Sequence, residues 1–461
     1  MVDLISETVE LPGGEKKVIK RAIWTLVSAL GLLTLFALQA DSQSKVPIIV
    51  QESSKTLYRA AVLRFASLPD ASPDMADVLY DGVLKSLDFS EAFLKLDPRA
   101  FLDDPVSPVL EETEQISCMS WRQIGADALV LGTIGTVDGQ LRVEFQVVDV
   151  QRSCRRVLRK RYTGGESELR RIGLAIGDDV VEAFTGKPGV ADTEIAFAST
   201  LSGKKEIFVM DALGGNLRAV TRNGSINSFP SWSPQGESIV YTSYRYLNRP
   251  SAFLLTREGR SPGRILRNLP GHSAVYRAIF HPLEPIFAFT LSMAGTSEIG
   301  VSRRNGDGFR RLTNNGVIDV SPSWSPDGEK IAFVSDRSGS PQVYIMDRDG
   351  RNQRRVTYMG NYNTHPAWSP DSRWIVYESR VRSQFDLWLI DPTGSVNYPL
   401  VDHPASDEYP SWSPDGRKIL FSSSRGGKAD IFVVGVDGKN LIRLTHGKGE
   451  KTNPAWGPYR R

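Results

Sequence analysis

Few residues in this chain have the types and spacing that catalysis needs. There are only five histidines. Four of them, His272, His365, His403 and His446, precede recurring Pro-x-Trp motifs. Their offsets from those motifs differ, whereas a metal site needs ligands at matched geometry, so no metal is expected. Gly295-Thr-Ser297-Glu-Ile-Gly300 misses a nucleophile elbow, because Ile299 stands where the second glycine must be. No H-E-x-x-H occurs. Asp347-x-Asp349-Gly350 starts like a calcium loop but lacks the third acid and the distal Glu. Asp327, Asp371 and Asp415 recur at one place in the repeat and read as turn formers. The chain is therefore read as non-enzymatic and without a cofactor.

Charge and composition narrow the partners. The 56 basic and 53 acidic residues of this 461-residue chain leave a formal net charge of +3. That is too balanced to favour nucleic acid or an anionic membrane. The densest basic cluster is Arg152, Arg155, Arg156, Arg159, Lys160 and Arg161, with only Tyr162 beside it. Nucleic-acid binding would call for interleaved aromatics, so a solvated hairpin or an acidic protein contact is expected instead. Two cysteines exclude a cysteine-rich zinc module and a multi-bridge scaffold. Cys118 and Cys154 are compatible with one disulfide in an oxidising compartment and equally with two buried thiols.

The elements that must position these residues come from a repeat. Pro230-Ser-Trp232-Ser-Pro234 returns around Trp324, Trp368, Trp412 and Trp456. The last three intervals are each 44 residues. Phe280-His-Pro282 supplies a degenerate copy between Trp232 and Trp324. Such a period, with four short strands per unit, specifies a β-propeller. Seven residues after each anchor an apolar residue opens a second strand: Ile239, Phe287, Ile331, Ile375 and Ile419. Ile195 opens such a strand without an anchor before it, while Trp456 is an anchor with no strand after it. The two orphans predict six blades closed by the C-terminal strand, which removes the open edges.

Residues 56–187 lack that period. Tyr58–Ala66 reads as a strand. Ser72-Pro73 opens a helix to about Leu87, with Met75, Leu79 and Val83 on one face. Trp121–Ala126 reads as helical. Leu129–Leu131 and Leu141–Val150 read as strands, with Asp138-Gly139 as a hairpin turn. Leu169–Phe184 is a last helix stopped by Gly186 and Pro188. The expected fold is an α/β N-terminal domain, then an all-β six-bladed propeller over 190–461.

At the N-terminus, Ala22–Ala40 carries no charge and follows Lys16, Lys17, Lys20 and Arg21. This is the pattern of an export signal over 1–40 with cleavage after Ala40. An uncleaved anchor is the rival, since the run nearly spans a bilayer. Residues 41–55 would then form an extended tail in which Val46, Ile48 and Val50 alternate.

This order of parts resembles the TolB family. The stretch Trp121-x-x-Ile124-Gly125-Ala126-Asp127-Ala128-Leu129-Val130-Leu131-Gly132, followed by a hairpin ending Gln146-Val-Val-Asp149, is similar to that family's N-terminal domain. The resemblance implies a periplasmic adaptor of the Tol-Pal system. It implies that the propeller binds the lipoprotein Pal and that the tail, through Val46, Ile48 and Val50, binds the C-terminal domain of TolA. It also implies a role in outer-membrane integrity and envelope constriction at division, leaves room for other outer-membrane proteins, and gives no nucleic acid or small-molecule substrate. In four-stranded blades the loops before each anchor ring one face. Those loops hold Asn227, His272, Ser273, Val320, Ser321, Thr364, His365, Glu408, Tyr409 and Thr452, which are the expected Pal contacts. The resemblance favours His272, Val320 and Thr364 among them. The rival readings are a propeller hydrolase, a peptidase-related enzyme and a saccharide-binding propeller.

Overall fold

The computed structural model describes residues 57–104, 117–152, 154–270, 273–293, 295–380 and 383–460. The signal and tail, with Val46, Ile48 and Val50, lie outside the described residues, as does His272.

The first layer is a mixed sheet. Its strands are β1 (Tyr58–Val62), β2 (Ala66–Ser67), β3 (Phe93–Lys95), β4 (Ala128–Val137), β5 (Gln140–Asp149) and β6 (Arg155–Gly164), in the order β3-β1-β4-β5-β6 with β2 also on β4. β1 runs parallel to β3 and β4, whereas β4, β5 and β6 form an antiparallel meander. Asp138 and Gly139 both take positive φ, as a two-residue hairpin turn requires. Helices α1 (Pro73–Ser90) and α3 (Leu169–Thr185) cover one face. They approach closely because Gly82 and Gly173 face each other, where an added Cβ on Gly82 would lie 3.0 Å from the Gly173 Cα. The other face carries Trp121 and a disulfide between Cys118 and Cys154.

One reading needs correction here. The helix around Trp121, α2, spans Met119–Gln123 and does not reach Ala126, because Gly125 turns the chain at φ +73°. The basic cluster lies on a solvent-exposed hairpin, as expected. Most of it is the edge strand β6, where Arg159 and Arg161 join Arg142 around Glu144 and Lys160 pairs with Asp179. Among the described residues no helix is long and apolar enough to cross a membrane.

The second layer is six four-stranded sheets. Their innermost strands are Asn227–Trp232, Ala274–Phe280, Asp319–Trp324, Asn363–Trp368, Asp407–Trp412 and Lys451–Trp456. The last of these pairs with Glu194–Ser202, placing Trp456 opposite Ile195, so the ring closes as the two orphan elements require. Three of the anchor turns are built the same way. Ser325 Oγ donates to Asp327 and accepts the Lys330 N–H, and Ser369–Asp371 and Ser413–Asp415 repeat the arrangement. Asp347 pairs with Lys330, as a turn residue would. A second repeated device lies at the outer strands: Thr221, Thr313 and Thr445 donate to Glu206, Glu298 and Asp430. These ties satisfy buried carboxylates that would otherwise be costly.

Trp456 concentrates the closure. Its indole donates to Thr193 Oγ1, its backbone N–H to Ser411 Oγ, and its ring packs against Phe89 of α1. Trp456→Ala should therefore lower unfolding stability by about 3–5 kcal/mol in urea titration. A loss under about 1 kcal/mol would show that closure does not depend on this side chain.

Candidate functional site

The six inner strands share an irregularity that builds the site. Each pairs with its neighbour, loses register for two residues and then resumes, between Ser228 and Ser231, Tyr276 and Ile279, Val320 and Ser323, Thr364 and Ala367, Glu408 and Ser411, and Thr452 and Ala455. At each bulge one non-glycine residue takes a left-handed conformation: Phe229, Arg277, Ser321, His365, Tyr409 and Asn453, with φ from 47° to 58°. A left-handed residue with a Cβ costs about 1–2 kcal/mol, so its sixfold use has to be enforced by its surroundings. At three of the six positions hydrogen bonds to the preceding blade do this. The Arg277, Ser321 and Tyr409 N–H groups donate to Thr242 Oγ1, Thr290 Oγ1 and Glu378 Oε1.

The bulges bring side chains from different blades together in the central channel. Tyr409 lies 6.1 Å from Phe229 and 4.7 Å from His365, ring centre to ring centre. The Arg277 guanidinium sits 5.0 Å from the Phe229 ring, and its Nη1 donates to Ser321 Oγ at 3.3 Å. Glu378 Oε1 is 2.8 Å from His365 Nδ1. A cavity of about 60 Å³ remains between Phe229, Arg277, Tyr409 and Asn453.

Burial dominates the electrostatics. It pushes the Glu378 carboxyl up to about 8, against the opposing pull of the Tyr409 N–H and of Arg277. Glu408 rises to about 7, first through burial and then through Glu378 and Asp407. Burial raises Tyr409 to about 12 and lowers Arg277 to about 10. The channel therefore holds two carboxyls that resist ionisation beside a guanidinium.

The expected contact residues are distributed differently from the loop reading. Asn227, Val320, Ser321, Thr364, His365, Glu408, Tyr409 and Thr452 lie within inner strands, not in loops. The bulge explains this, because pairing resumes beyond it, four residues upstream of each anchor. Val320, Thr364, Glu408 and Thr452 are the last paired residues before each bulge, and Ser321, His365 and Tyr409 are the left-handed residues that follow them. Asn227 is fully buried and donates to Glu206, which removes it from any docking surface. Ser321 and Thr364 are also buried. Ser273 precedes its inner strand, with its hydroxyl bonded to the Pro270 carbonyl. Among the described residues no group of three or more potential metal ligands occurs.

Sequence reasoning passes over Phe229, Arg277 and Glu378. The first two carry a usable signal, since they occupy the position just before each anchor triplet. Glu378 carries none, because the equivalent positions hold Thr242, Thr290, Val334 and Ser422. On the face that carries the inner-strand starts, strand ends and loops expose Leu201, Ile226, Leu247, Ile318, Tyr358 and Met359. Apolar side chains also show on the opposite face, at Leu283, Val396 and Leu441.

Fold and channel together define a six-bladed propeller protein with an amino-terminal α/β domain. Comparison with known proteins agrees. The model described as the TolB beta propeller domain matches residues 181–460, and the TolB amino-terminal domain matches 46–155. A Tol-Pal system protein TolB from Desulfosudis oleivorans is 35% identical over 306 residues, covering 64% of this chain and 66% of that protein. One from Anaeromyxobacter sp. strain K is 34% identical over 307 residues, covering 67% and 68%. The chain thus spans about two thirds of these relatives' length. The crystal structure of TolB from Acinetobacter baumannii shares the fold at 24% identity and a TM-score of 0.73, covering 87% of this chain and 97% of its own. The chain belongs to the TolB family.

The raised Glu378 value gives a signed expectation. A carboxyl held neutral in the fold stabilises it below the ordinary glutamate range, and that contribution is lost as pH rises through about 8. The melting temperature of Glu378→Gln, relative to the unaltered chain, should therefore climb steadily from pH 5 to pH 9. A difference that stays flat across that range would contradict this electrostatic picture.

Proposed function

We propose that this protein is a non-enzymatic periplasmic adaptor of the Tol-Pal system, docking Pal on the channel mouth and TolA on the N-terminal tail. The observation that carries the reading is the rim. Leu201, Ile226, Leu247, Ile318, Tyr358 and Met359 are exposed at strand ends and loops on the face of the propeller that carries the inner-strand starts. Grouped exposed apolar side chains beside a polar channel are the usual anatomy of a protein interface. Val320, Thr364, Glu408 and Thr452 would then be met at the channel wall by whatever part of Pal reaches inward, and Ser273 and His272 at its edge.

For TolA, the support is the alternation of Val46, Ile48 and Val50 over 41–55, a pattern that can add a strand to a partner's sheet edge. Export by a cleaved signal over 1–40 completes the reading and places the adaptor between inner and outer membranes. Its consequence for the cell would be support of outer-membrane integrity and of constriction at division.

Titration calorimetry with purified partners tests both contacts. Leu247→Glu combined with Ile318→Glu should weaken Pal binding at least tenfold while the thermal melt stays within a few degrees. Unchanged affinity would remove the rim as the docking surface. Deleting residues 41–55 should abolish TolA binding and leave Pal binding intact; retained TolA affinity would refute the tail assignment.

A further inference from the structure

Arg277 stands at a channel bulge without a carboxylate partner among the described residues. On this propeller Arg311, Arg337, Arg425 and Arg443 each hold a carboxylate: Glu298, Asp319, Asp407 and Asp430. Arg277 does not. Its guanidinium has five N–H donors, and the contacts it makes are one long hydrogen bond to Ser321 and the face of Phe229. Among the described residues no carboxylate oxygen lies within ion-pair distance of it. Glu378, the acid that acts on it, already accepts the Tyr409 N–H. Burial also keeps Glu378 largely uncharged near neutral pH.

A second observation comes from the opposite wall of the same cavity. Asn453 is only 5% exposed, and its amide oxygen has no hydrogen-bond partner. Thr452 Oγ1, one residue earlier, is unpaired as well. The Asn453 amide also meets the Tyr409 hydroxyl, and its buried oxygen is open to an N–H or O–H from a ligand. Donors in search of an anion therefore face acceptors in search of an N–H or O–H.

Size sets what can enter. About 60 Å³ is roughly twice the share of one liquid water. That leaves room for a carboxylate group. A side chain reaching in from a partner seated on the rim would fill it.

We propose that the channel is a carboxylate-reading subsite in which Arg277, flanked by Phe229 and Tyr409, receives one aspartate or glutamate side chain from the protein partner docked on the rim. The fork of the guanidinium meets a carboxylate bidentately, which fixes orientation as well as charge. An N–H beside that side chain would satisfy Asn453. The inference rests on the adaptor reading and names the chemistry that the partner must bring.

A double-mutant cycle tests it, using this chain and the soluble domain of Pal from the same organism at near-physiological salt. Each partner Asp and Glu is changed singly to Asn or Gln. Arg277→Met should weaken binding at least tenfold, one partner substitution should do the same, and the pair together should cost little more than either alone. Thermal melting of each variant separates lost affinity from lost folding. If Arg277→Met destabilises the chain, Arg277→Lys serves in the same cycle, since it keeps the charge and loses the fork. Affinity within twofold of the unaltered chain, or strictly additive losses against every partner acid, would overturn the subsite and leave the rim contact standing. No binding by the unaltered chain would overturn both.

Discussion

The architecture depends on one pairing, that of the inner strand Lys451–Trp456 with Glu194–Ser202. The two strands lie at opposite ends of the propeller sequence, so their contact bears the largest loop-closure entropy of any pairing in the ring. It also yields the most, because it converts a curved open stack into a ring without free edges. The side chains at the seam match that role. Trp456 bonds to Thr193 in the closing blade and to Ser411 in the preceding one, and touches Phe89 of the α/β layer.

That triple contact explains why the two layers form a single compact unit among the described residues. The joint is otherwise polar and buried. Asp178 of α3 accepts from Ser86 Oγ and from the Ala191 and Asp192 N–H groups, and burial raises it to about 7. Glu91, at the end of α1, receives Lys418 and Asn440 from the propeller. Arg170 reaches Asp211 in the same way. Buried polar ties of this kind add little net stability but penalise misalignment heavily, so they fix the angle between the layers.

Closure has a second consequence at the axis. Once six inner strands surround a channel, their bulges turn six side chains toward one another, and those side chains share one dielectric environment. Phe229, Arg277, Ser321, His365, Tyr409 and Asn453 are dispersed over more than two hundred positions in sequence, yet they form one wall. The displaced ionisation of Glu378 and Glu408 belongs to this shared environment rather than to any local sequence.

Much of the fold was legible beforehand. The 44-residue period, the Trp anchors, the Asp-Gly and Pro-Asp-Gly turns and the two orphan elements are local signals, and they fixed the blade count, the turns and the closing pair. The extent of the helix around Trp121 was misjudged because Gly125 terminates it, a conformational choice made by packing. The disulfide between Cys118 and Cys154 needed distances that spacing does not supply. The expected contact residues were assigned to loops, whereas most of them lie within the inner strands. A bulge leaves no mark in composition, and only pairing with a neighbouring strand reveals it. The periodic chemistry of the chain thus determined a closed ring of six blades. Which atoms meet at its centre, and with what charge, was decided by the tertiary structure alone, because burial and cross-blade distance exist only after the ring has closed.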